Sequence, residues 1–268
     1  MTRICYVNIN TEEVSGPYLS IVEKVFQKVA APDTEIGIKS VEPGLNRVYD
    51  LGYYYLSFLN KRQIVERVIE ADKEGYDAAI VGCFLDPGVR EARAIASIPV
   101  VGLGESTMHL ACLLGRQFAV VTVNERTLIS EMEAEIKMYG LRDCAISNAV
   151  RGISLSEKEV FTRGMQEPGI VASDILDKAK KCVDEGADVV VVGCNGLGPL
   201  CTISGVVEVE EVHAPILDCV SIAVKMAETI VDLRKRLGVP AVSRAGIYAL
   251  PREKDIKRVR GIFGLKVD

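Results

Sequence analysis

Two ten-residue segments, EGYDAAIVGC ending at Cys83 and EGADVVVVGC ending at Cys194, are near copies of one another at an offset of 111 residues. Glu74, Gly75 and Asp77 recur as Glu185, Gly186 and Asp188, and the apolar runs that follow are short enough to be buried strands. Self-similarity over so long an interval is duplication on the scale of a domain, not a solenoid repeat. It therefore places one thiol just past a buried strand in each of two similar units.

Other landmarks keep the same order. RICYVNIN (3–10) pairs with RQFAVVTVN (116–124), each an apolar run ending on asparagine, and ASIPVVGLG around Pro99 pairs with VHAPILDC around Pro215. The runs ICYVNI, DAAIVGC, PVVGLG, FAVVTV, DVVVVGC and GISL read as strands. Their nearly continuous apolar character suits parallel sheets covered on both faces. Between them KRQIVERVIEADKEG, STMHLACLLG, ERTLISEMEAEIKMYG and ASDILDKAKKCVDEG carry helical spacing and stop at or near glycine. The expected fold is α/β, with two pseudo-symmetric, Rossmann-like parallel-sheet domains and the active site in the cleft between them. Residues 1–114 with 215–268 would form the first domain and 115–214 the second, the final helical stretch SIAVKMAETIVDLRKRL returning to the first.

Composition narrows the partners. A chain of 268 residues with 49% hydrophobic and 26% charged residues has ordinary globular make-up. Its formal charge of −5 and lack of a sustained basic tract disfavour nucleic acid. No apolar stretch reaches membrane-spanning length, and MTRICYVNIN lacks the form of a secretion signal. Eight cysteines without a CxxC pair suit a reducing cytoplasm. The expectation is a cytoplasmic homo-oligomer acting on a small molecule, without nucleic acid or membrane partners.

Ligands in open parallel sheets gather at the carboxyl ends of the strands. Asn8, Asn10, Cys83, Cys194 and the GLGES loop (102–106) would all sit there. Cys83 is followed by FLDPG, in which Asp86 suits a helix cap and Pro87 a first helical turn; Cys194 is followed by NGLGPL, whose glycines allow close backbone approach. Amide donors at such ends would bring a thiol pKa toward neutrality and leave both thiols exposed at the cleft. Cys5, Cys112, Cys182 and Cys219, by contrast, lie in apolar or helical patterns and read as core. Two opposed thiols can invert a stereocentre unaided: one as thiolate removes a proton from an activated carbon, and the other as thiol returns one on the opposite face.

Further candidates surround the pair. Asn8, Asn10 and Thr11 of NINT could donate to a polar ligand or cap the next helix, and Gly82, Phe84, Asn195 and Gly196 adjoin the thiols. Gly104, Glu105 and Ser106 could form a polar wall, although GLGES lacks the GxGxxG and GK[ST] contexts of nucleotide binding. The tyrosine run GYYYLSF (52–58) could be core or a pocket lid. No spacing of His and Cys supports a metal, and neither metal nor cofactor is expected.

NINT, GCFLDPG (82–88), PVVGLGESTMHLACLLGRQFAVVT (99–122) and GADVVVVGC (186–194) together resemble the aspartate/glutamate/hydantoin racemase superfamily, in its hydantoin/allantoin racemase branch. The resemblance implies two pseudo-symmetric α/β domains, a cysteine acid/base from each (Cys83 and Cys194), and cofactor-independent proton transfer. It also implies that Asn10, Thr11, Gly104 and Glu105 border the substrate. Two segments depart from the branch. NGLGPL replaces a short AGM-like loop, and VEPGLNRVYD keeps Tyr49 and Asp50 while placing Asn46 and Arg47 where Ile and Glu are expected, so these two residues are candidates for specificity. The expected reaction is racemisation of a hydantoin-like or allantoin-like cyclic ureide. The alternatives are an Asp/Glu-type amino acid racemase, an enzyme like maleate isomerase or arylmalonate decarboxylase, and a binding protein that kept the scaffold without turnover.

Overall fold

The computed structural model describes residues 1–265; the side chains of Val48, Tyr49 and Glu157 lie outside the described set, as do residues 266–268. The strands are β1 (Thr2–Asn10), β2 (Thr34–Leu45), β3 (Ala78–Val81), β4 (Val100–Gly102), β5 (Phe118–Thr122), β6 (Ala145–Gly152), β7 (Val189–Val192), β8 (Glu208–Val209) and β9 (Ala214–Asp218). They form two sheets, ordered β2-β1-β3-β4 and β6-β5-β7-β9-β8. The first is wholly parallel, and in the second only β8 runs antiparallel, against β9. Removing that edge strand leaves the same order twice, which is the duplication seen in three dimensions.

The repeated segments supply the central strands. AAIV of β3 and VVVV of β7 are buried at every position, because each strand has neighbours on both sides and helices over both faces. The backbone continues alike beyond both: Gly82 N–H donates to the Val7 carbonyl at 2.9 Å, and Gly193 N–H to that of Val121 at 2.8 Å. Each cysteine is thus held one residue beyond a fixed ladder bond.

The helices are α1 (Glu12–Val29), α2 (Tyr54–Lys73), α3 (Val89–Arg93), α4 (Leu103–Leu114), α5 (Arg126–Met138), α6 (Glu157–Glu159), α7 (Pro168–Asp184), α8 (Gly198–Ser204), α9 (Cys219–Leu237) and α10 (Glu253–Ile262). Alternation along β1 divides two cores. Ile4 and Tyr6 join the large core that runs through both halves, whereas Cys5, Val7 and Ile9 face a smaller one with Ile64 and Val68 of α2. The helices that close the two halves change places: α4 follows β4 but packs on β5, β7 and β9, and α9 follows β9 but packs on β1, β3 and β4. The chain's return near residue 215 falls within β9, whose ladder is with β7, so the crossing itself is made by α9.

Two local readings need correction. GISL is not a strand of its own: β6 ends at Gly152, Ile153 N–H adds one last bond to the Thr122 carbonyl of β5 at 2.8 Å, and the N–H groups of Ser154 and Leu155 are taken by the Asp174 carboxylate of α7. Asp86 does not cap the helix it precedes. α3 starts at Val89 with Gly88 before it at φ +80°, and the Asp86 carboxylate turns away to a different helix. No helix among the described residues is long and apolar enough to cross a membrane.

Candidate active site

Both repeat cysteines open onto one cavity of about 240 Å³ between the halves. Its walls come from equivalent parts of each half. The first contributes Ile9 and Asn10 from the end of β1, Val14, Ser15 and Tyr18 from α1, and Cys83, Phe84 and Leu85. The second contributes Thr122 and Val123 from the end of β5, Leu128 and Met132 from α5, and Gly193, Cys194 and Asn195. Leu51, Gly52 and Tyr53 form the rim, facing Glu125 and Thr127, and a Cβ on Gly52 would stand only 3.1 Å from Thr127 Oγ1. Phe161, on the π-helical turn Val160–Gly164, closes one side.

All eight cysteines are thiols. Cys83 is 7% exposed and Cys194 is half-buried, so the thiol expected to be exposed at the cleft is covered on the first half. Burial pushes the Cys83 thiol well up from its ordinary pKa; the Leu85 N–H pulls it down, while Glu135, Asp86 and Cys194 push it further up. The expected drift toward neutrality is therefore not what this environment produces. A sulfur surrounded by apolar atoms with two carboxyls nearby rests as the protonated thiol. Since a second thiolate nearby also disfavours ionisation, one thiol with one thiolate is the state the pair tolerates best when charged.

The Phe84 ring packs over the backbone before the opposite cysteine, where a Cβ on Gly193 would meet Phe84 Cε1 at 3.2 Å and Val120 Cγ1 at 2.3 Å. A buried phenol network reaches from the Cys83 side to the Cys194 side. The hydroxyls of Tyr6 and Tyr18 are 2.6 Å apart, and Tyr18 also bonds the Asn195 side chain. Gly82 admits the Tyr6 ring, since a Cβ there would stand 2.6 Å from Tyr6 Cζ. Thr122 Oγ1 donates to the Gly193 carbonyl at 3.0 Å, fixing the peptide that leads into Cys194.

Of the residues singled out from sequence, Asn10, Cys83, Phe84, Cys194 and Asn195 line the cavity. Asn8 lies behind it: its Nδ2 donates to the Asn10 carbonyl at 2.9 Å and to Ser40 Oγ at 3.0 Å, and its Oδ1 accepts from Ser15. Thr11 precedes α1, and its Oγ1, like Asn10 Oδ1, is buried without a protein partner. An unsatisfied buried acceptor costs about 1–3 kcal/mol. Gly104 and Glu105 present their N–H groups to Asp86, and the Glu105 carboxylate pairs with Arg93. Ser106 Oγ donates to the Gly102 carbonyl, and Gly196 lies beneath Phe161. Asn46 and Arg47 are exposed and away from the cavity, and the Tyr49 side chain lies outside the described residues.

Ser15, Tyr18, Leu128 and Met132 escaped the sequence reading. They occupy the early turns of the helix that follows the first strand of each half, a position the repeat itself marks. Among the described residues, no group of three or more His, Cys, Asp or Glu side chains is placed to hold a metal.

Each copy of the duplicated parallel α/β scaffold thus delivers one thiol to a shared cavity. The family model of Asp/Glu/Hydantoin racemase matches residues 58–227, and the chain belongs to that family, an isomerase class of enzyme. It is similar to a hydantoin racemase of Pseudomonas sp. (strain NS671), with 28% identity covering 91% of this chain and 90% of that one. It is also similar to one from Rhizobium meliloti, with 30% identity covering 71% and 73%. In three dimensions it resembles the allantoin racemase from Klebsiella pneumoniae, with a TM-score of 0.78, 26% identity and 94% of each chain covered.

Proposed function

We propose that the protein is a cofactor-independent racemase of neutral cyclic ureides, with Cys83 and Cys194 as its two acid/bases and hydantoins bearing an apolar 5-substituent as its substrates. The observation that carries the reading is the convergence of the two repeat cysteines, one from each half, on a single cavity. In one direction the Cys194 thiolate removes the proton from the ring carbon, so that the C–H bond breaks, an S–H bond forms and the electron pair passes to the adjacent carbonyl as an enolate. Cys83 then gives its proton to the opposite face. The reverse direction exchanges the roles.

The cavity wall favours a neutral substrate. Among the described lining residues Glu125 alone is charged, and no Lys or Arg lines the cavity. A free amino acid or diacid would place its carboxylate in an apolar cleft with no cation to meet it, which is costly. A ureide instead offers N–H donors and carbonyl acceptors, which suit Asn10, Ser15, Tyr18 and Asn195, and the unsatisfied Oδ1 of Asn10 favours a ligand donor. Ile9, Val14, Leu51, Leu128, Met132 and Phe161 suit an apolar substituent better than the polar ureido group of allantoin.

The test is loss of optical rotation with deuterium uptake in heavy water, for 5-benzylhydantoin, 5-isobutylhydantoin, allantoin, aspartate and glutamate. Wild type is compared with Cys83→Ala and Cys194→Ala. Racemisation of the apolar hydantoins that vanishes in both variants is expected. Turnover of aspartate or glutamate in preference to them would overturn the substrate reading, and an active Cys83→Ala or Cys194→Ala would overturn the mechanism.

A further inference from the structure

The loop that carries Cys83 is fastened across the domain boundary by one carboxylate. Asp86 lies three residues beyond the thiol, is 8% exposed, and has a left-handed backbone with φ +45°, a conformation that a non-glycine residue holds only when its surroundings enforce it. Its N–H donates to the Cys83 carbonyl at 3.1 Å, which closes the CFLD turn. Its carboxylate accepts from Gly104 N–H at 3.0 Å, Glu105 N–H at 2.7 Å and Tyr139 Oη at 2.8 Å. The first two donors open α4, and the third stands at the end of α5 in the opposite half.

Both glycines of GLG answer to this clamp. A Cβ on Gly102 would stand 2.4 Å from Asp86 Cγ, and one on Gly104 would stand 2.1 Å from the Phe84 carbonyl oxygen. Tyr139 is itself seated as a peg in the first half, with the His109 ring of α4 at 6.1 Å and the Arg90 guanidinium of α3 5.9 Å from its centroid. On the Cys194 side Asn195 and Tyr18 make the crossing, while the Asp218 carboxylate takes its donors from Thr202 of α8 and from Val220 and Ser221 at the start of α9.

We propose that Asp86 is a positioning residue for the proton transfer, which acts through its bond to Tyr139 to hold the Cys83 thiol at the distance from Cys194 that inversion requires. The proposal rests on the two-thiol reading above. Tyr139 does not touch the cavity, so its hydroxyl acts only by transmitting the position of one half to the catalytic turn of the other. Loss of the bond lets the Cys83 turn relax, while Cys194 stays in place, because the peptide before it is held by the Gly193 ladder bond and also, unlike the first half, by Thr122 Oγ1 on the Gly193 carbonyl.

The chemistry then becomes one-sided. From the enantiomer whose proton Cys194 removes, the enolate still forms. With Cys83 displaced, the Cys194 thiol, after exchanging with solvent, returns a deuteron to the same face and regenerates the starting enantiomer carrying deuterium. From the other enantiomer, whose proton Cys83 must remove, exchange and inversion slow together.

The experiment uses Tyr139→Phe and Asp86→Asn beside wild type in heavy water. Each enantiomer of 5-benzylhydantoin is supplied separately, with optical rotation and deuterium in the recovered starting enantiomer followed together. Inversion by Tyr139→Phe is expected to fall about tenfold or more, the scale set by sub-ångström misplacement of a reacting group. Deuterium should accumulate in one recovered enantiomer and not in the other. Tyr139→Phe removes one oxygen from a half-buried ring, so it remains interpretable if Asp86→Asn fails to fold. A folded Tyr139→Phe that inverts like wild type overturns the proposal, and so does one in which both enantiomers lose exchange and inversion in parallel. Wild type that inverts no hydantoin at all would instead sink the functional reading.

Discussion

Glu135→Gln should make the protein more stable at alkaline pH and remove much of its sensitivity to pH. Glu135 lies on α5, 8% exposed, with Oε2 buried and without a protein partner. Burial first, then Asp86 and Glu131, pushes its carboxyl from 4.5 up to about 9, against the pull of Lys61 and Arg90. A raised carboxyl binds its proton more tightly in the folded chain than in the unfolded one. Its contribution is therefore fully present below pH 4.5 and is lost as pH rises toward about 9. Each pH unit in that window is worth at most about 1.4 kcal/mol, so wild type should lose up to about 4 kcal/mol from this group between pH 5 and pH 8. Asp86, raised by burial to about 7, adds a loss of the same sign, but it is present in both proteins and largely cancels in the comparison. Thermal melts by circular dichroism at pH 5, 6.5 and 8 read the difference, which should approach roughly 10 °C in favour of the variant at the highest pH. Stability curves for the two proteins that run parallel across this range would refute the reasoning, because they would mean that Glu135 titrates alike in both states.

Gly193→Ala should destabilise the fold by about 1–3 kcal/mol in urea titration and abolish turnover, because its Cβ would press on Val120 Cγ1 at 2.3 Å and on Phe84 Cε1 at 3.2 Å, in the peptide next to Cys194. An active, stable variant would show that the ring has room to move. Tyr18→Phe removes the hydroxyl 2.6 Å from that of Tyr6 and leaves the latter buried without its partner, so unfolding should cost about 1–3 kcal/mol less. No change in the melting temperature would contradict this. Arg260→Ala breaks the two bonds from its guanidinium to the half-buried Glu66 carboxylate, at 2.9 and 2.7 Å, that hold α10 on α2. The global loss should be about 1 kcal/mol or less, but limited proteolysis should cut the tail faster; unchanged cleavage would show that other contacts hold it.

What the sequence revealed and what it hid follow from how local each signal is. The repeat exposed the two halves and both thiols, because central strands are apolar throughout and differ sharply from the turns that bound them. β2 escaped notice as a strand, because TEIGIKSVEPGL lies on an edge, where charged residues and proline are tolerated, and so it reads as a loop. Asp86 is legible as a cap, but the helix it caps is not, since its partners arrive from elsewhere in the chain and its positive φ aims it at them. The burial of Cys83 is hidden for a similar reason: amide donors can be guessed from a loop sequence, whereas the closeness of Glu135 and Asp86 is a property of how the halves meet. Tyr53, Tyr54 and Tyr55 are all exposed, with Tyr53 alone on the cavity rim, a distribution that three consecutive aromatic residues cannot announce.

The exchange of α4 and α9 between the halves makes each incomplete without the other. A chain severed at the exposed Arg116 would yield two pieces, each having its own sheet but missing the helix that the other half supplies to it. Expressed apart, both would display bare strand faces and aggregate; expressed together, they would lend each other those helices and recover turnover. The protein is in this sense a ready-made two-fragment reporter, in which catalysis announces that the pieces have met. Recovery of activity from the separate fragments mixed after purification would measure how much of the assembly information resides in those two helices.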